Sequence, residues 1–396
     1  MSELAAPSTR RPDLDFLRVA CILLLHLYHS ARMFNVDDPW HVKAPVLLPI
    51  LNGPMDVLHL VRMPLLMLIA GTATAFALTR RGVGAFAWDR VKRLLLPLVF
   101  GILVIVPPQI WVERVWTGAY TGSYWSFWSS VLQGVPYPKG STSWHHLWFV
   151  AYLFAFCMAA LPLFAWFRQS SGQAFLDRAG AFLARGANHW WIAVLIFGGR
   201  YLLRNHPETH DLLHDPKNLV FYGGLFLAGH LLGRLSRLTE RLVALRQWNL
   251  FLSLGLLAAL LPPGEFPFPF EHLALYAFVW ASLCAALGYA KARVTDSKPW
   301  LTRAQSRAYP FYILHQSVIV VLGWWMLRLN LGPWPLFASL TLLSFLLTLA
   351  LCEVAAAVAF LRPCLGMGPA SRPAPRKGPT RLTSGQLEAI LSDEAR

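Results

Sequence analysis

Residues 18–34 read RVACILLLHLYHSARMF, an apolar run that places Arg18 and His29 in one predicted membrane-spanning helix. Eleven positions rotate an α-helix by about 1100°, three turns plus roughly 20°, so the two side chains share one face. They lie about 16 Å apart along the axis at 1.5 Å rise per residue. An ionisable side chain at this depth is costly in lipid, so it is expected to face the interior of a helix bundle. A buried histidine that only links two helices is the alternative interpretation of His29.

Apolar runs recur along the whole chain of 396 residues, of which 56% are hydrophobic and 14% are charged. A soluble domain has about 25% charged residues, so we predict an all-α, polytopic integral membrane protein with one bundle of about ten transmembrane helices. The fifth and seventh candidate spans are short against the ~20 residues that a span needs. The candidates are roughly 17–34, 57–79, 94–112, 146–167, 189–203, 217–235, 249–262, 271–291, 309–329 and 336–361.

The distribution of basic residues predicts the orientation of the chain in the membrane. With the N-terminus inside, most of the 35 Lys and Arg residues fall in inner loops and at the chain ends, so we expect both termini in the cytoplasm. The predicted organisation is a cytoplasmic segment 1–16, a transmembrane domain 17–361 and a mostly disordered cytoplasmic tail 362–396, in which 384–396 could form a short helix. The net charge of +15 does not indicate a nucleic-acid partner, because the basic residues lie in short loops between spans and suit membrane lipid. The five cysteines show no ligand spacing, and no disulfide is predicted.

Two predicted outer loops are unusual in composition. Loop 113–145 is dense in Trp, Tyr, Ser and Gly, which is typical of an interfacial aromatic belt but also suits a platform for sugar rings. In loop 204–216, His210 and His214 are spaced i,i+4, a metal-compatible pair if the loop is helical. Short loops rich in His and Asp are more often simply solvated, so we predict no metal.

The segment WDRVKRLLLP places Arg90 and Arg93 on one face at the start of the third span. One interpretation is topology, with inner-loop charge orienting the helix and binding anionic lipid. The other is a clamp for phosphate groups, to which guanidinium groups bind in bidentate fashion. In the second span, residues 70–72 read Ala-Gly-Thr, which permits close helix approach.

Further polar and aromatic residues lie at the ends of spans or inside them. For each one taken singly, a structural role is at least as well supported as a functional one. They are Arg62 near the outer end of the second span, His145, His146 and Trp148 at the outer end of the fourth, and His315 inside the ninth.

Taken together, these motifs resemble the acyltransferase 3 family of bacterial integral-membrane proteins over about residues 13–361. The opening of the chain is most similar to the glucan biosynthesis protein C subgroup, whose members are credited with O-succinylating periplasmic glucans. One departure is Ala70, which stands where the family has a Ser before Gly71. The matching motifs are Leu14-Asp15, Arg18 and His29, Arg62-Met63-Pro64 through Ala70-Gly71, Arg90 and Arg93 with Pro97, Leu147-Trp148-Phe149, and Tyr312 with His315.

The resemblance implies a membrane O-acyltransferase of the bacterial inner membrane, in the class that transfers groups other than amino-acyl groups. It would move a succinyl or acetyl group from cytoplasmic acyl-CoA to a hydroxyl of an extracytoplasmic carbohydrate, such as a periplasmic glucan. The catalytic candidates are His29 as general base or acyl relay, Arg18, and Asp15 as its ion-pair partner. The candidates for binding acyl-CoA, the donor, are Arg18, Arg90 and Arg93; for the carbohydrate they are Arg62, His145, His146, Trp148 and His315, with no metal.

A transporter or flippase of a carbohydrate or acylated intermediate is the alternative function. Many spans with intramembrane Arg and His and no soluble catalytic domain would fit a carrier. Carriers usually have broken helices in two matching halves, and the sequence shows no such symmetry. The lack of such symmetry favours the acyltransferase over the carrier.

Overall fold

The computed structural model describes residues 11–37, 39–261 and 270–368 of the chain, and they form an all-helical structure. No strand occurs in these ranges, apart from an isolated bridge between Pro136 and Thr142. The all-α prediction is therefore confirmed for the described residues. The helices are Pro12–Ala31 (α1), Asn52–Arg80 (α2), Val83–Trp116 (α3), Tyr124–Trp128 (α4), Trp148–Ala159 (α5), Leu161–Trp166 (α6), Ser170–Leu183 (α7), Trp190–Leu202 (α8), Pro216–Arg234 (α9), Ser236–Ala244 (α10), Arg246–Leu260 (α11), Phe270–Arg293 (α12), Pro299–Met326 (α13), Pro333–Ala357 (α14) and Leu361–Cys364 (α15).

Within the described ranges, six helices are long and apolar enough to cross a membrane: α1, α2, α3, α12, α13 and α14. A seventh span is formed if α9 and α10, which meet at a bend of 98°, are counted together. The other predicted spans coincide with the shorter helices α5 with α6, α8 and α11. The count of ten spans and the cytoplasmic location of both termini thus stay predictions.

Helix α1 begins at Pro12 rather than at residue 17. Proline suits the first turn because its missing N–H would have no partner there. Asp13 and Asp15 follow in the same turn, where their negative charge favours the positive end of the helix dipole. α1 packs against α2, α12, α13 and α14, and His26 binds the carbonyl of Thr341 on α14 at 3.0 Å. The helix that carries Arg18 and His29 therefore lies inside the bundle.

Two glycines allow α2 and α9 to touch backbone to backbone. A Cβ added at Gly71 would lie 1.9 Å from the carbonyl oxygen of Phe226, and one added at Gly229 would lie 2.0 Å from that of Leu68. Thr72 fixes the crossing by donating its hydroxyl to the carbonyl of Gly229 at 2.9 Å. The close approach expected at residues 70–72 is present.

The Gly71→Ala variant is expected to lower the free energy of unfolding by about 1–3 kcal/mol, because the added methyl group must push α9 away. Gly53→Ala is the matched control, since a Cβ at Gly53 in the same helix meets nothing within 4 Å. Thermal unfolding of both variants in detergent measures the difference. Equal stability of the two variants would contradict the backbone contact.

The described part of the chain continues beyond residue 361, where the tail was predicted to begin. Leu361–Cys364 form a short helix, and Gly366 lies against Tyr309 of α13. Residues 369–396, including the predicted helix at 384–396, lie outside the described residues, as do residues 1–10. The five cysteines are free, as predicted.

Candidate active site

Helix α1 lines two separate cavities, one near each end. The arginine cavity, of about 500 Å³, contains Arg18 in its wall, and the histidine cavity, of about 870 Å³, contains His29. Because α1 is continuous from Pro12 to Ala31, the two side chains are about 16 Å apart along the helix. Tyr312 of α13 lines both cavities and so forms part of the wall between them.

The arginine cavity is strongly basic. Of the described residues, five arginines and no carboxylate line it: Arg18, Arg90, Arg93, Arg307 and Arg362. Asp15, Asp89 and Glu353 pair with four of these arginines but do not line the cavity. Such an excess of guanidinium groups suits a ligand with several phosphate charges.

The predicted basic pair on α3 is organised around one carboxylate. Asp89 binds Arg90 at 2.5 Å and Arg93 at 3.0 Å, and it also binds Arg81 at 2.7 Å. A single negative charge shared by three guanidinium groups leaves net positive charge at the cavity. Arg18 is held in the same way by Asp15, with Nη1 3.2 Å from Oδ1. The ion pair expected between Asp15 and Arg18 is present, and its catalytic role stays a prediction.

At the other cavity, His29 makes a hydrogen bond that fixes which ring nitrogen carries its proton. His315 Nδ1 lies 2.7 Å from the carbonyl of Tyr312 and must donate to it. In a neutral imidazole, the form favoured in an apolar interior, His315 Nε2 is then an acceptor. It lies 2.9 Å from His29 Nδ1, which therefore donates. His29 Nε2 is left unprotonated on the ring that lines the cavity.

His315 does not line either cavity. It is fully buried next to His29, and the two rings are nearly parallel with centroids 5.0 Å apart. The prediction that His315 binds the carbohydrate directly is not supported by this position, because His29 separates it from the histidine cavity. Its contacts are those of a residue that positions His29.

His146 and Tyr312 join α5 to α13 next to this pair. His146 donates from Nε2 to the carbonyl of Ile313 at 3.0 Å, and Tyr312 donates its hydroxyl to the carbonyl of His146 at 2.5 Å. His146, which was predicted to lie at the outer end of its span, lines the histidine cavity. The two hydrogen bonds also have a structural role, because they connect α5 to α13. The wall between the cavities is therefore held by a short hydrogen-bonded network.

Arg62 is buried in the wall of the histidine cavity with only 3% of its surface exposed. Its guanidinium carbon lies 4.2 Å from the ring centre of Tyr28, an attraction between cation and aromatic face. Its Nε and Nη1 atoms have no hydrogen-bond partner among the described residues. Buried donors left unpaired are costly, so they indicate a group that binds there and accepts from them.

Aromatic and basic residues line the rest of the histidine cavity. Trp148, a predicted binding residue, lines the histidine cavity together with Trp40, Trp116 and Tyr137. Lys43 also lines it, and burial together with the positive charge of Arg32 lowers the pKa of this amine to about 8. A wall with both aromatic faces and polar groups can bind a polyhydroxylated ligand.

Sequence reasoning missed His41 and Glu113, which also line this cavity and are bonded to each other. Neither lies in a motif, because His41 follows α1 in an irregular segment and Glu113 is one charge near the end of an apolar helix. His145, which was predicted, lies next to His41, with the two rings nearly parallel and their centres 5.0 Å apart. Only the fold brings these three residues together.

The alternative metal pair in loop 204–216 is not formed. The loop has turns rather than a helix where the pair lies, and His210 has a φ of +54°. His210 lies against Trp148 in the histidine cavity, whereas His214 is exposed and bonded to Asp211. The two rings therefore do not share a helix face.

Comparison with known proteins gives one result. The model of a protein family described as an acyltransferase domain matches residues 11–353. The chain has no match among curated proteins and none among solved structures. The matched range contains both cavities except for the residues after 353 that close the arginine cavity.

Proposed function

Because the chain belongs to the acyltransferase 3 family, we propose that it is a membrane O-acyltransferase with the donor in the arginine cavity and the acceptor in the histidine cavity. The donor is cytoplasmic acyl-CoA, and the acceptor is a hydroxyl of an extracytoplasmic carbohydrate, such as a periplasmic glucan. The protein lies in the bacterial inner membrane. The observation that carries the proposal is the pair of cavities along α1, with Arg18 in one and His29 in the other.

Five arginines support the assignment of the donor. CoA carries several phosphate charges, and guanidinium groups bind phosphate in two-pronged hydrogen bonds. Arg18, Arg90 and Arg93 lie on two helices that face the same cavity, so they can hold the nucleotide from two sides. The pantetheine arm then passes Tyr312, which lines both cavities, and brings the thioester to His29.

In the chemical step, His29 Nε2 removes the proton of the acceptor hydroxyl as its oxygen attacks the thioester carbonyl carbon. A C–O bond forms, the C–S bond breaks, and the departing thiolate takes the proton back from His29. The unprotonated Nε2 left by the bond to His315 is the form that a general base needs. His315 keeps that ring oriented, as the third group of a catalytic triad does.

Arg62 supports the step through its unpaired donors. The attack creates a negative oxygen on the former carbonyl, and preorganised donors stabilise such an oxyanion. Nε and Nη1 of Arg62 are buried and have no partner among the described residues, and Arg62 lines the same cavity as His29. We assign them to this oxygen.

The aromatic residues at the histidine cavity provide a test of the acceptor site. Trp116→Ala is expected to raise KM for the carbohydrate about 2- to 10-fold, the loss of one stacking contact, with KM for acyl-CoA unchanged. Trp125→Ala is the matched control, because Trp125 also lies in the predicted outer segment 113–145 but is 77% exposed and lines neither cavity. Steady-state kinetics with varied acceptor measure both. Equal effects of the two variants would instead support an interfacial belt.

Purified protein with acyl-CoA labelled in the acyl group and a glucan acceptor tests the proposal. Label is expected in the glucan, with one CoA thiol released for each ester formed. A carrier would move its cargo without cleaving the thioester. Absence of thioester cleavage with any carbohydrate acceptor would overturn the proposed reaction.

A further inference from the structure

We propose that His41, Glu113 and His145 form a binding site for a divalent transition-metal ion, with Zn²⁺ as the best fit, in the wall of the histidine cavity. Each of the three offers one ligand atom, and these atoms lie within 4.8 Å of one another. The residues come from the segment after α1, from α3 and from the turn before α5. Neither the family match nor the reaction proposed above requires an ion here.

The rings of His41 and His145 are adjacent and nearly parallel, with centres 5.0 Å apart. Imidazoles bound at about 2.1 Å to one tetrahedral ion have a similar centre separation. Because the ion lies in the plane of each ring it binds, binding requires the two rings to lie edge to edge rather than face to face. Nδ1 of His41 contacts Oε2 of Glu113, so a proton lies between the two atoms that would bind the metal. Metal binding replaces that proton, as it does when ligands are deprotonated on binding.

The ligands are oriented from outside by other side chains. Tyr137 donates its hydroxyl to Oε1 of Glu113 at 2.7 Å, which leaves Oε2 for the ion. Ser143 Oγ lies 2.6 Å from Nδ1 of His145, which leaves Nε2 of that ring for the ion. Metal sites in proteins commonly have outer hydrogen bonds of this kind.

The backbone of His145 is a third observation. Its φ is +39°, in the left-handed region that residues with a side chain seldom adopt. Backbone strain of this kind clusters at functional sites, where the surrounding structure holds it. Here the conformation places the imidazole of His145 next to that of His41.

The donor set selects the kind of ion. Two imidazoles and one carboxylate are ligands of catalytic zinc sites, whereas Ca²⁺ and Mg²⁺ prefer oxygen ligands alone. Three protein ligands leave a fourth position for water or for an oxygen of a bound molecule. All three residues line the histidine cavity, so this position opens into it.

Titration of the full chain with Zn²⁺ in detergent, after removal of metal by a chelator, tests the site. We expect one Zn²⁺ per chain by isothermal calorimetry, with the affinity lowered at least 100-fold by Glu113→Gln or by His145→Ala. Co²⁺ is expected to give the visible absorption of a four-coordinate ion in the wild type and not in these variants. His214→Ala is the matched control, because His214 is an exposed histidine that lines neither cavity.

Tyr137→Phe provides a variant that keeps all three ligands and removes one outer hydrogen bond. This variant is expected to weaken Zn²⁺ binding about 10-fold. If a ligand variant fails to fold, Tyr137→Phe still tests whether the site binds Zn²⁺. Wild-type protein that binds no Zn²⁺, or binding that is lost only in His214→Ala, would overturn the proposal. Because the readout is metal binding, a failure of the acyltransfer reaction would not affect it.

Discussion

His29→Ala is expected to lower acyl transfer by about 10²- to 10⁴-fold, the usual contribution of a general base. The structure gives the reason: the hydrogen bond from His29 Nδ1 to His315 leaves Nε2 unprotonated on a ring that lines the cavity. Arg62 lines the same cavity as this ring. The measurement is the rate of labelled ester formation at saturating acyl-CoA and acceptor.

The control for this variant is His189→Ala. His189 is also a buried histidine, but it lies outside both cavities, and its ring nitrogens have no hydrogen-bond partner in the described structure. The acyl-transfer activity of His189→Ala should equal that of the wild type. If His29→Ala is monodisperse and as active as this control, His29 has no part in the mechanism.

A second measurement distinguishes a base from an acyl relay. With acyl-CoA alone, a relay forms acyl-His29 and releases a burst of CoA equal to the amount of enzyme. A general base releases none until the acceptor is added. We expect no burst, because the proposed step needs the acceptor hydroxyl as its nucleophile.

The double variant Arg90→Ala with Arg93→Ala is expected to raise KM for acyl-CoA by about 10- to 100-fold. Each guanidinium group removed takes away a hydrogen bond to a charged group, worth about 1.5–3 kcal/mol, part of which is offset by the remaining arginines of the cavity. The acceptor KM should not change, because these residues line only the arginine cavity. Steady-state kinetics with each substrate varied in turn measure the two constants.

Arg237→Ala is the control for this pair. Arg237 is an exposed basic residue of α10 that lies on the same predicted side of the membrane but outside the cavities. Its removal should leave both KM values unchanged. An effect of the double variant confined to the acceptor would contradict the phosphate clamp.

Much of the site could be predicted because it lies on one regular helix. The 3.6-residue period places Arg18 and His29 on one face, and α1 is helical through both residues. Arg90 and Arg93 are neighbours for the same reason, and the structure brings them into one cavity with Arg18. The small residues at 70–72 likewise indicate a close helix contact from local sequence alone.

The rest depends on contacts between distant parts of the chain. His29 and His315 meet because α1 packs against α13, and no period or spacing records that register. His41 lies in an irregular segment, so nothing in its neighbourhood indicates that it will meet Glu113. The number of spans was also hard to predict, because α5, α8 and α11 are apolar enough to suggest spans but shorter than a membrane needs.

Sealed proteoliposomes with the protein in one orientation test the central claim, that a donor on one side of the membrane acylates an acceptor on the other. Labelled acyl-CoA is supplied outside, at the face of the arginine cavity, and carbohydrate is trapped inside. We expect labelled ester in the lumen, and none from vesicles that carry His29→Ala. Ester formed only when donor and acceptor share one compartment would contradict the account.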